Sequence, residues 1–372
     1  MNSKTTQTSN NPKLGKILRE DISRGDFFRT VKRDYHEVRE FFLDDERKQR
    51  LAGMKRIKRW MYTLGWLLKT LFLKLTPTRR LLVVIGLALL IFAHSVQYRV
   101  NDLVIETNDF AVLGGLILLF VLMLELKDKL IARDELEAGR AVQAELMPES
   151  SPSVPGWSLW LFTRTANEVG GDLVDFLPLD GQRYGITLAD VAGKGLKAAL
   201  LTAKLQATLR ALAPDTSLLA TLGARVNHIF CRDGIRSMFA SFVYVELIPE
   251  AGKIRFINAG HLPPLVLRGD SIEELPKGDP AIGLTESVEY HEQERSIAPG
   301  EIVIIYSDGL TDAKNEHDEF YGIQRVRQTL SNSRGLSAPA IGEKIIQDVD
   351  GFIGEARIFD DLSVVILKRV KQ

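Results

Sequence analysis

The sequence predicts an α+β protein in which a transmembrane helical hairpin precedes a mixed domain of helices and antiparallel strands. Three observations lead to this prediction: two apolar runs early in the chain, a charged helix-forming segment after them, and short β-branched runs that alternate with helical runs toward the C-terminus. The predicted parts are a basic cytoplasmic leader at 1–80 with an amphipathic segment at 60–75, the hairpin at 81–126, a stalk helix at 127–147 and the mixed domain at 148–372.

Charge is distributed unevenly along the 372 residues, although the net charge is zero. Residues 1–80 carry a net charge of +11, residues 81–126 of −3 and residues 127–372 of −8. The single cysteine, Cys231, excludes an internal disulfide framework and a cysteine-cluster metal site. The basic leader lies beside the apolar runs and lacks a recognised nucleic-acid-binding motif, so we predict no nucleic-acid partner.

Two apolar runs have the composition of membrane-spanning helices. Residues 81–98 contain no formal charge, and residues 110–126 contain only Glu125, near the end. As helices they would rise about 26–27 Å, at the short end of what crosses a bilayer. Two buried helices of a soluble bundle are the alternative, which the lack of a polar face in either run disfavours.

The charges that flank these runs predict their orientation. Two arginines precede the first run and three basic residues follow the second, whereas the connection at 100–109 carries three acids. Positive flanks stay in the cytoplasm, so we predict a multi-pass protein of the inner (cytoplasmic) membrane whose C-terminal domain is cytoplasmic. The segment at 60–75 is predicted to lie in the membrane interface, with a third span as the alternative.

The stalk segment at 127–147 is rich in Ala, Leu, Glu, Lys and Arg, which are strong helix formers. We expect it to continue the second apolar helix and to end before Pro148, where the run PESSPSVPG begins. Its apolar spacing is too irregular to predict a coiled coil, which leaves a homodimer through the stalk helix open.

The mixed domain shows long strand-like runs joined by short turns, a pattern that favours antiparallel pairing over repeated βαβ units. We expect strands at 157–163, 184–188, 238–247, 254–258, 265–267, 301–306 and 362–367, and helices at 196–212, 218–231, 323–330 and 339–353.

Four short motifs place acidic side chains at or near the ends of predicted strands. They are EVGGDLVDF (168–176), ITLADVAGKG (186–195), IVIIYSDGLTDA (302–313) and FDDLSVVIL (359–367). One strand-terminal Asp is usually a turn residue or a helix cap. Hard divalent ions such as Mg²⁺ and Mn²⁺ prefer carboxylate oxygens, so four such motifs in one domain predict a shared metal site.

Together with QAELMP (143–148) and NAGHLPP (258–264), these motifs resemble the PPM (type-2C-like) family of metal-dependent Ser/Thr protein phosphatases, in its SpoIIE-like bacterial branch. The resemblance implies an α-β-β-α sandwich of two antiparallel sheets flanked by helices. It also implies hydrolysis of phosphoserine or phosphothreonine on a cytoplasmic regulatory protein, such as an anti-sigma-factor antagonist, with two divalent metal ions, Mn²⁺ or Mg²⁺. A catalytically degenerate module that binds a phosphoprotein partner is the alternative.

The same resemblance implies the residues of the site. The catalytic residues and metal ligands would be the carboxylates of Asp172, Asp190, Asp308 and Asp360, with Asp190 bridging both ions. The backbone carbonyl of Val191 would be a further ligand, and Asp361 a secondary one.

The remaining residues of these motifs receive weaker expectations. Glu168 and Asp175 are expected to support the site rather than to bind metal. The turn that contains His261 is expected to face the site, and a proton-transfer role for His261 is left open. Lys194 stands where many relatives have His, so the general acid and the phosphate-binding residue stay unassigned, with Arg164 near enough to be a candidate for the phosphate.

Overall fold

The computed structural model describes residues 56–92, 96–100, 103–107, 109–180, 182–233 and 238–370. The chain divides into two compact units, Met1–Lys129 and Leu130–Gln372. Most of the predicted basic leader lies outside the described residues. Its amphipathic end is described and forms helix α1 (Arg56–Lys74), which begins a few residues before the predicted segment.

The first predicted span is wrong in its bounds. Helix α2 (Pro77–Ile91) is 15 residues long, and residues 96–98 belong to strand β1 (Val96–Val100) instead. Strand β1 pairs antiparallel with β2 (Leu103–Thr107), where a loop was expected. Both sequences, VQYRV and LVIET, are rich in β-branched residues, and VQYRV also alternates apolar with polar residues, so they favour strands over a continued helix.

Helix α3 (Asp109–Glu145) joins the second apolar run and the predicted stalk in one uninterrupted helix of 37 residues. Within the described part of the chain, α3 alone is long and apolar enough to cross a membrane: its most apolar window has a mean hydropathy of 2.3 and is 11% buried. A two-helix membrane hairpin is therefore not confirmed.

Helices α2 and α3 pack closely within the first unit. A Cβ atom added at Gly114 would lie 2.7 Å from the carbonyl oxygen of Gly86, so these glycines allow the two backbones to approach. At the other end of the pair, Arg79 donates to Glu125 and to Asp128, each at 2.6 Å. Close packing through small residues is typical of helix pairs in membranes.

The second unit contains two five-stranded sheets in which every neighbouring pair is antiparallel. The first has the order β10-β7-β6-β5-β4, and the second has the order β3-β12-β11-β8-β9. The strands of the first sheet are β4 (Asp172–Pro178), β5 (Tyr184–Val191), β6 (Ala240–Ile248), β7 (Lys253–Ala259) and β10 (Gln293–Ser296). Those of the second are β3 (Trp157–Arg164), β8 (Leu265–Arg268), β9 (Ser271–Glu274), β11 (Ile302–Tyr306) and β12 (Leu362–Arg369).

Helices cover the outer face of each sheet, and three apolar layers separate the four layers of secondary structure. Helices α4 (Leu196–Leu212) and α5 (Leu219–Asp233) pack on the first sheet. Helices α7 (Gly322–Ser331) and α8 (Ala338–Ile353) pack on the second, and the short helix α6 (Asp308–Thr311) follows β11. The middle apolar layer lies between the sheets. The predicted α-β-β-α sandwich is confirmed.

Candidate metal-dependent active site

The site lies where the apolar layer between the sheets becomes polar. Strand residues alternate between the two faces of a sheet, and Val174, Leu188 and Val243 contribute to the layer between the sheets. Two positions along each of these strands, toward the same end of the sheet, the side chain on this face is polar instead: Asp172, Asp190 and Ser241. Because side chains alternate between the faces of a strand, these three polar side chains lie on the same face of the sheet, at one end of the sandwich.

Asp172 and Asp190 lie directly opposite each other in the β4–β5 ladder. Asp172 is 3% exposed, and its Oδ2 atom is buried without a hydrogen-bond partner. Burial raises the pKa of Asp172 well above its usual range, and it outweighs the opposing effect of the Ser363 and Ser307 hydroxyls, while the charges of Asp190 and Asp361 raise the pKa further. An orphaned, buried carboxylate oxygen is costly, which favours a cation as its missing partner.

Asp190 is the centre of the acidic cluster. Burial raises its pKa to about 6, and the nearby charges of Asp308, Asp360 and Asp361 act in the same direction. The pKa of Asp308 is also raised, first by burial and then by Asp360. These carboxylates repel one another when they are all ionised.

Asp308 is the first residue of α6, immediately after β11. Gly309 must lack a side chain, because a Cβ there would lie 2.0 Å from the carbonyl oxygen of Asp361. The Asp-Gly pair thus brings the turn after β11 against the turn before β12. Asp308 and Asp360 reach the surface at this end of the sandwich, Asp308 from among neighbours that partly desolvate it, whereas Asp361 is buried.

Lys194 supplies positive charge to the cluster. Its ammonium donates to Asp360 Oδ2 at 3.0 Å and to the carbonyl oxygen of Phe359 at 2.6 Å. Its charge lowers the pKa of Asp190 and of Asp308, against the larger upward effects of burial and acidic neighbours. Lys194 therefore neutralises part of the cluster that a metal ion would neutralise more completely.

Asp361 has a different role from Asp360, although the two are adjacent. Its Oδ1 accepts from the backbone N–H of Ala166 at 2.7 Å, and its Oδ2 accepts from that of Gly171 at 2.6 Å. The N–H of Asp172 lies 3.4 Å from the same Oδ2. Both carboxylate oxygens thus hold the backbone that leads into Asp172, which favours a positioning role over direct coordination.

The end of α3 is attached to the same loop. Gln143 donates from its side-chain amide to the carbonyl oxygen of Gly170 at 3.0 Å and accepts from the N–H of Gly170 at 3.1 Å. Thr202 on α4 donates to the carbonyl oxygen of Gly171 at 2.6 Å. These contacts hold the two glycines that precede Asp172.

The secondary expectations have clear outcomes. Asp175 is paired with Arg210 at 2.7 Å, and Glu168 lies 3.9 Å from Arg140, so each of these acids has a basic partner outside the acidic cluster. Arg164 is paired with Asp350 at 2.8 Å, so a phosphate would have to compete with that carboxylate for the guanidinium group. His261 engages both ring nitrogens, with Ser241 Oγ and the carbonyl oxygen of Tyr306, which argues against proton transfer by His261.

Sequence reasoning missed several hydroxyl groups at the site. Ser307 Oγ donates to the carbonyl oxygen of Asp361 at 3.1 Å and accepts from the N–H of Ser363 at 2.9 Å, and both serines are fully buried. Ser363 Oγ in turn donates to Thr163 at 2.8 Å. The sequence did contain a signal for these serines: each is a polar residue at an alternating position of a strand, or directly after one, where the other residues are apolar and face the core. Ser241 belongs to the same group.

An open cleft of about 560 Å³ gives access to the site and is lined by Asp190, Asp308, Ser241, His261 and Lys277 among others. Carboxylate oxygens and the Val191 carbonyl are donors that suit Mg²⁺ or Mn²⁺. In the described residues, no group of three or more His, Cys, Asp or Glu side chains already has the geometry of an ion site.

The raised pKa of Asp190 gives the metal-free chain a defined pH dependence. The ordinary value is 3.8 and the folded value is about 6, so between these pH values the folded state holds a proton that the unfolded state has lost. Stability therefore falls as the pH rises toward about 6, by at most about 3 kcal/mol from this group. In EDTA, thermal unfolding should occur at a lower temperature at neutral pH than at about pH 5. The Asp190→Asn chain should show a smaller difference in unfolding temperature between the two pH values. An equal difference in the two chains would contradict the prediction.

Comparison with known proteins agrees with this architecture. The family model described as stage II sporulation protein E (SpoIIE) matches residues 180–370. The match covers more than half of the chain, which therefore belongs to the SpoIIE family.

Three curated relatives extend the comparison. The chain is 28% identical to Protein IcfG of Synechocystis sp. over 273 residues, or 66% of this chain and 43% of that protein. It is 28% identical to phosphoserine phosphatase RsbP of Bacillus subtilis over 192 residues, which cover 50% of this chain and 47% of that protein. Identity to phosphoserine phosphatase RsbU of Bacillus subtilis is 21%, over 64% of this chain and 70% of that protein. The chain thus spans less than half the length of the first two.

Two solved structures show the same fold. The PP2C domain of SiaA from Pseudomonas aeruginosa matches with a TM-score of 0.56 at 19% identity, over 65% of this chain and 98% of that chain. The RsbU and RsbW domains of Rv1364c from Mycobacterium tuberculosis match with a TM-score of 0.51 at 21% identity, over 59% of this chain and 62% of that chain. The second unit therefore has a PP2C-like fold.

Proposed function

We propose that the chain is a metal-dependent protein phosphatase that hydrolyses phosphoserine or phosphothreonine on a regulatory protein. The observation that carries the proposal is the acidic cluster: Asp190 has a pKa of about 6 among three other acids, and Asp172 keeps a buried oxygen without a partner. Ionisable side chains whose charged form is destabilised in this way, and which face a cleft, are typical of a functional site rather than of a structural one.

The proposed ligands of two divalent ions, Mn²⁺ or Mg²⁺, are the carboxylates of Asp172, Asp190, Asp308 and Asp360 and the carbonyl oxygen of Val191. When bound, such ions lower the pKa of water and stabilise charge on phosphoryl oxygens. The chain's own residues bring the carboxylates together and position the turns that carry them, and the apolar layer between the sheets excludes water from the inner side of the site. Lys194 has to share Asp360 with an ion, because its ammonium contacts that carboxylate.

The proposed substrate is a phosphorylated regulatory protein, such as an anti-sigma-factor antagonist. Similarity to RsbP and RsbU, which are named phosphoserine phosphatases, supports a phosphoserine substrate. The cleft beside Asp190 and Asp308 is open to solvent, which suits a side chain presented by another protein. A phosphoprotein-binding module without turnover is the second candidate, because Lys194 already occupies part of the acidic cluster.

Metal-dependent turnover separates these two functions. We expect the full chain to hydrolyse p-nitrophenyl phosphate and a phosphoserine peptide with Mn²⁺ or Mg²⁺, and to lose this activity in EDTA. Re-addition of the ion to the chelated chain is the control for irreversible unfolding. Tight binding of the phosphopeptide without hydrolysis under all metal conditions would favour the binding module.

We also propose that α2 and α3 anchor the chain in the inner (cytoplasmic) membrane as a multi-pass hairpin. Both helices expose many large apolar side chains, and α3 meets the length and hydropathy of a span. Helix α2 would rise only about 22 Å, so the bilayer would thin locally or flanking residues would extend to the interface. A homodimer through the stalk part of α3 stays a prediction, and α1 is proposed to lie in the interface.

Reporter fusions test this topology. We expect a reporter at residue 107 to behave as external and reporters at residue 20 and at the C-terminus to behave as cytoplasmic, because positive charges flank the helix pair on the inner side. The matched control is a fusion set in a chain with the basic residues 127, 129 and 133 changed to Gln, which should weaken the orientation. An external C-terminal reporter in the unaltered chain would contradict the proposal.

A further inference from the structure

His261 is fixed in one orientation and one tautomer. Its backbone N–H donates to Asn258 Oδ1 at 2.8 Å, and Asn258 Nδ2 donates back to the carbonyl oxygen of His261 at 3.1 Å. Ring atom Nε2 lies 3.1 Å from the carbonyl oxygen of Tyr306, which can only accept, so Nε2 carries the proton. Burial lowers the pKa of His261 to about 4, so the neutral ring presents Nδ1 as an acceptor.

This tautomer determines what Ser241 can do. Ser241 Oγ lies 2.8 Å from Nδ1 of His261, so the hydroxyl donates its single proton to the imidazole. Ser241 is only partly buried and lines the cleft together with Asp190 and Asp308. Because its proton is used in the bond to His261, Ser241 presents only oxygen lone pairs to the cleft and no hydrogen-bond donor.

Ser241 is also placed beside the central acid of the site. It lies opposite Asp190 in the β5–β6 ladder. Side chains that face each other in an antiparallel pair have Cβ atoms about 4.5–5.5 Å apart on the same face of the sheet. A group that forms a hydrogen bond with Ser241 at this position must therefore be the donor. Water can do so, whereas a fully ionised phosphate ester cannot.

We propose that Ser241 orients the attacking water of the phosphatase reaction by accepting a hydrogen bond from it, and that His261 is the positioning residue that holds Ser241 in this state. This inference rests on the proposed function. No bond to Ser241 forms or breaks: hydrolysis consumes the water and releases the serine or threonine hydroxyl and inorganic phosphate. The lone pairs of Ser241 also repel phosphoryl oxygens and so keep them out of the position of the water.

The test compares Ser241→Ala with Ser241→Thr in the full chain. We expect Ser241→Ala to lower kcat by about 10–100-fold with little change in KM, the range of a single orienting contact. Ser241→Thr keeps the hydroxyl and should recover most of kcat. In equilibrium titrations, Mn²⁺ should bind both variants as it binds the wild type, and inorganic phosphate should bind the Mn²⁺-loaded Ser241→Ala chain several-fold more tightly.

The phosphate titration separates this role from a purely structural one, because a lost structural hydrogen bond would not strengthen phosphate binding. Ser333→Ala is the matched control: Ser333 is fully buried, and its Oγ donates to the carbonyl oxygen of Thr329 at 2.6 Å, away from the cleft. It should lose stability and keep kcat. Unchanged kcat in Ser241→Ala, or a loss of kcat accompanied by weaker Mn²⁺ binding, would overturn the inference. A wild-type chain without turnover would overturn the proposed function, and the inference with it.

Discussion

Asp190→Asn should abolish most phosphatase activity of the full chain, by on the order of 1,000-fold in kcat, the size of loss seen when one key electrostatic group is removed from an active site. The amide preserves shape but removes the charge that two dications would share. The same change should stabilise the metal-free chain at neutral pH, because burial and the charges of Asp308 and Asp360 already disfavour ionised Asp190. Turnover with saturating Mn²⁺ and thermal unfolding in EDTA measure the two effects.

Asp175→Asn is the matched control for this change. Asp175 is another buried acid, on the neighbouring strand β4, but its carboxylate is neutralised by Arg210 at 2.7 Å. Breaking this pair should lower stability and leave kcat of the folded chain nearly intact. Comparable turnover in the wild type and in Asp190→Asn at saturating Mn²⁺ would contradict the two-metal proposal.

Much of the fold could be predicted because its signals are local. Helix α4 has the predicted bounds, since a glycine-rich turn precedes it and an apolar run defines it. Strand β4 was missed because DLVDFLP contains two acids and a proline. Its Asp175 is buried against Arg210 and Gln206 of α4, which donate to its carboxylate, and no local pattern reveals these contacts. The β1–β2 hairpin was missed because its apolar residues extended the first apolar run.

The site could be predicted in part for the same reason. The acidic motifs, through their resemblance to the phosphatase family, pointed to Asp172 and Asp190, and the structure pairs these residues across one ladder. The tautomer of His261 depends on the carbonyl oxygen of Tyr306, 45 positions away, and therefore could not be predicted. Nor could the difference between Asp360 and Asp361, because the two are adjacent in sequence and differ only in distant partners: Lys194 for Asp360, and the loop at 166–172 for Asp361.

Asp361→Asn should destabilise the chain by about 2–4 kcal/mol and should not be rescued by excess Mn²⁺. The carboxylate accepts from the backbone N–H groups of Ala166 and Gly171, at 2.7 and 2.6 Å. An Asn side chain keeps one acceptor and turns an N–H₂ group toward a second N–H, which leaves buried donors unsatisfied at about 1–3 kcal/mol each. Chemical denaturation in EDTA measures the stability, and a Mn²⁺ titration of turnover measures the rescue.

Excess Mn²⁺ should fail to restore turnover in Asp361→Asn for a geometric reason. Asp361 holds the backbone that ends at Asp172, so its loss displaces another proposed ligand rather than removing one that a higher ion concentration could replace. Asp350→Asn is the control, because Asp350 is a partly exposed acid whose partner is Arg164, and its loss should cost no more than about 1 kcal/mol. A stable Asp361→Asn chain that regains full turnover at high Mn²⁺ would instead restore Asp361 as a metal ligand.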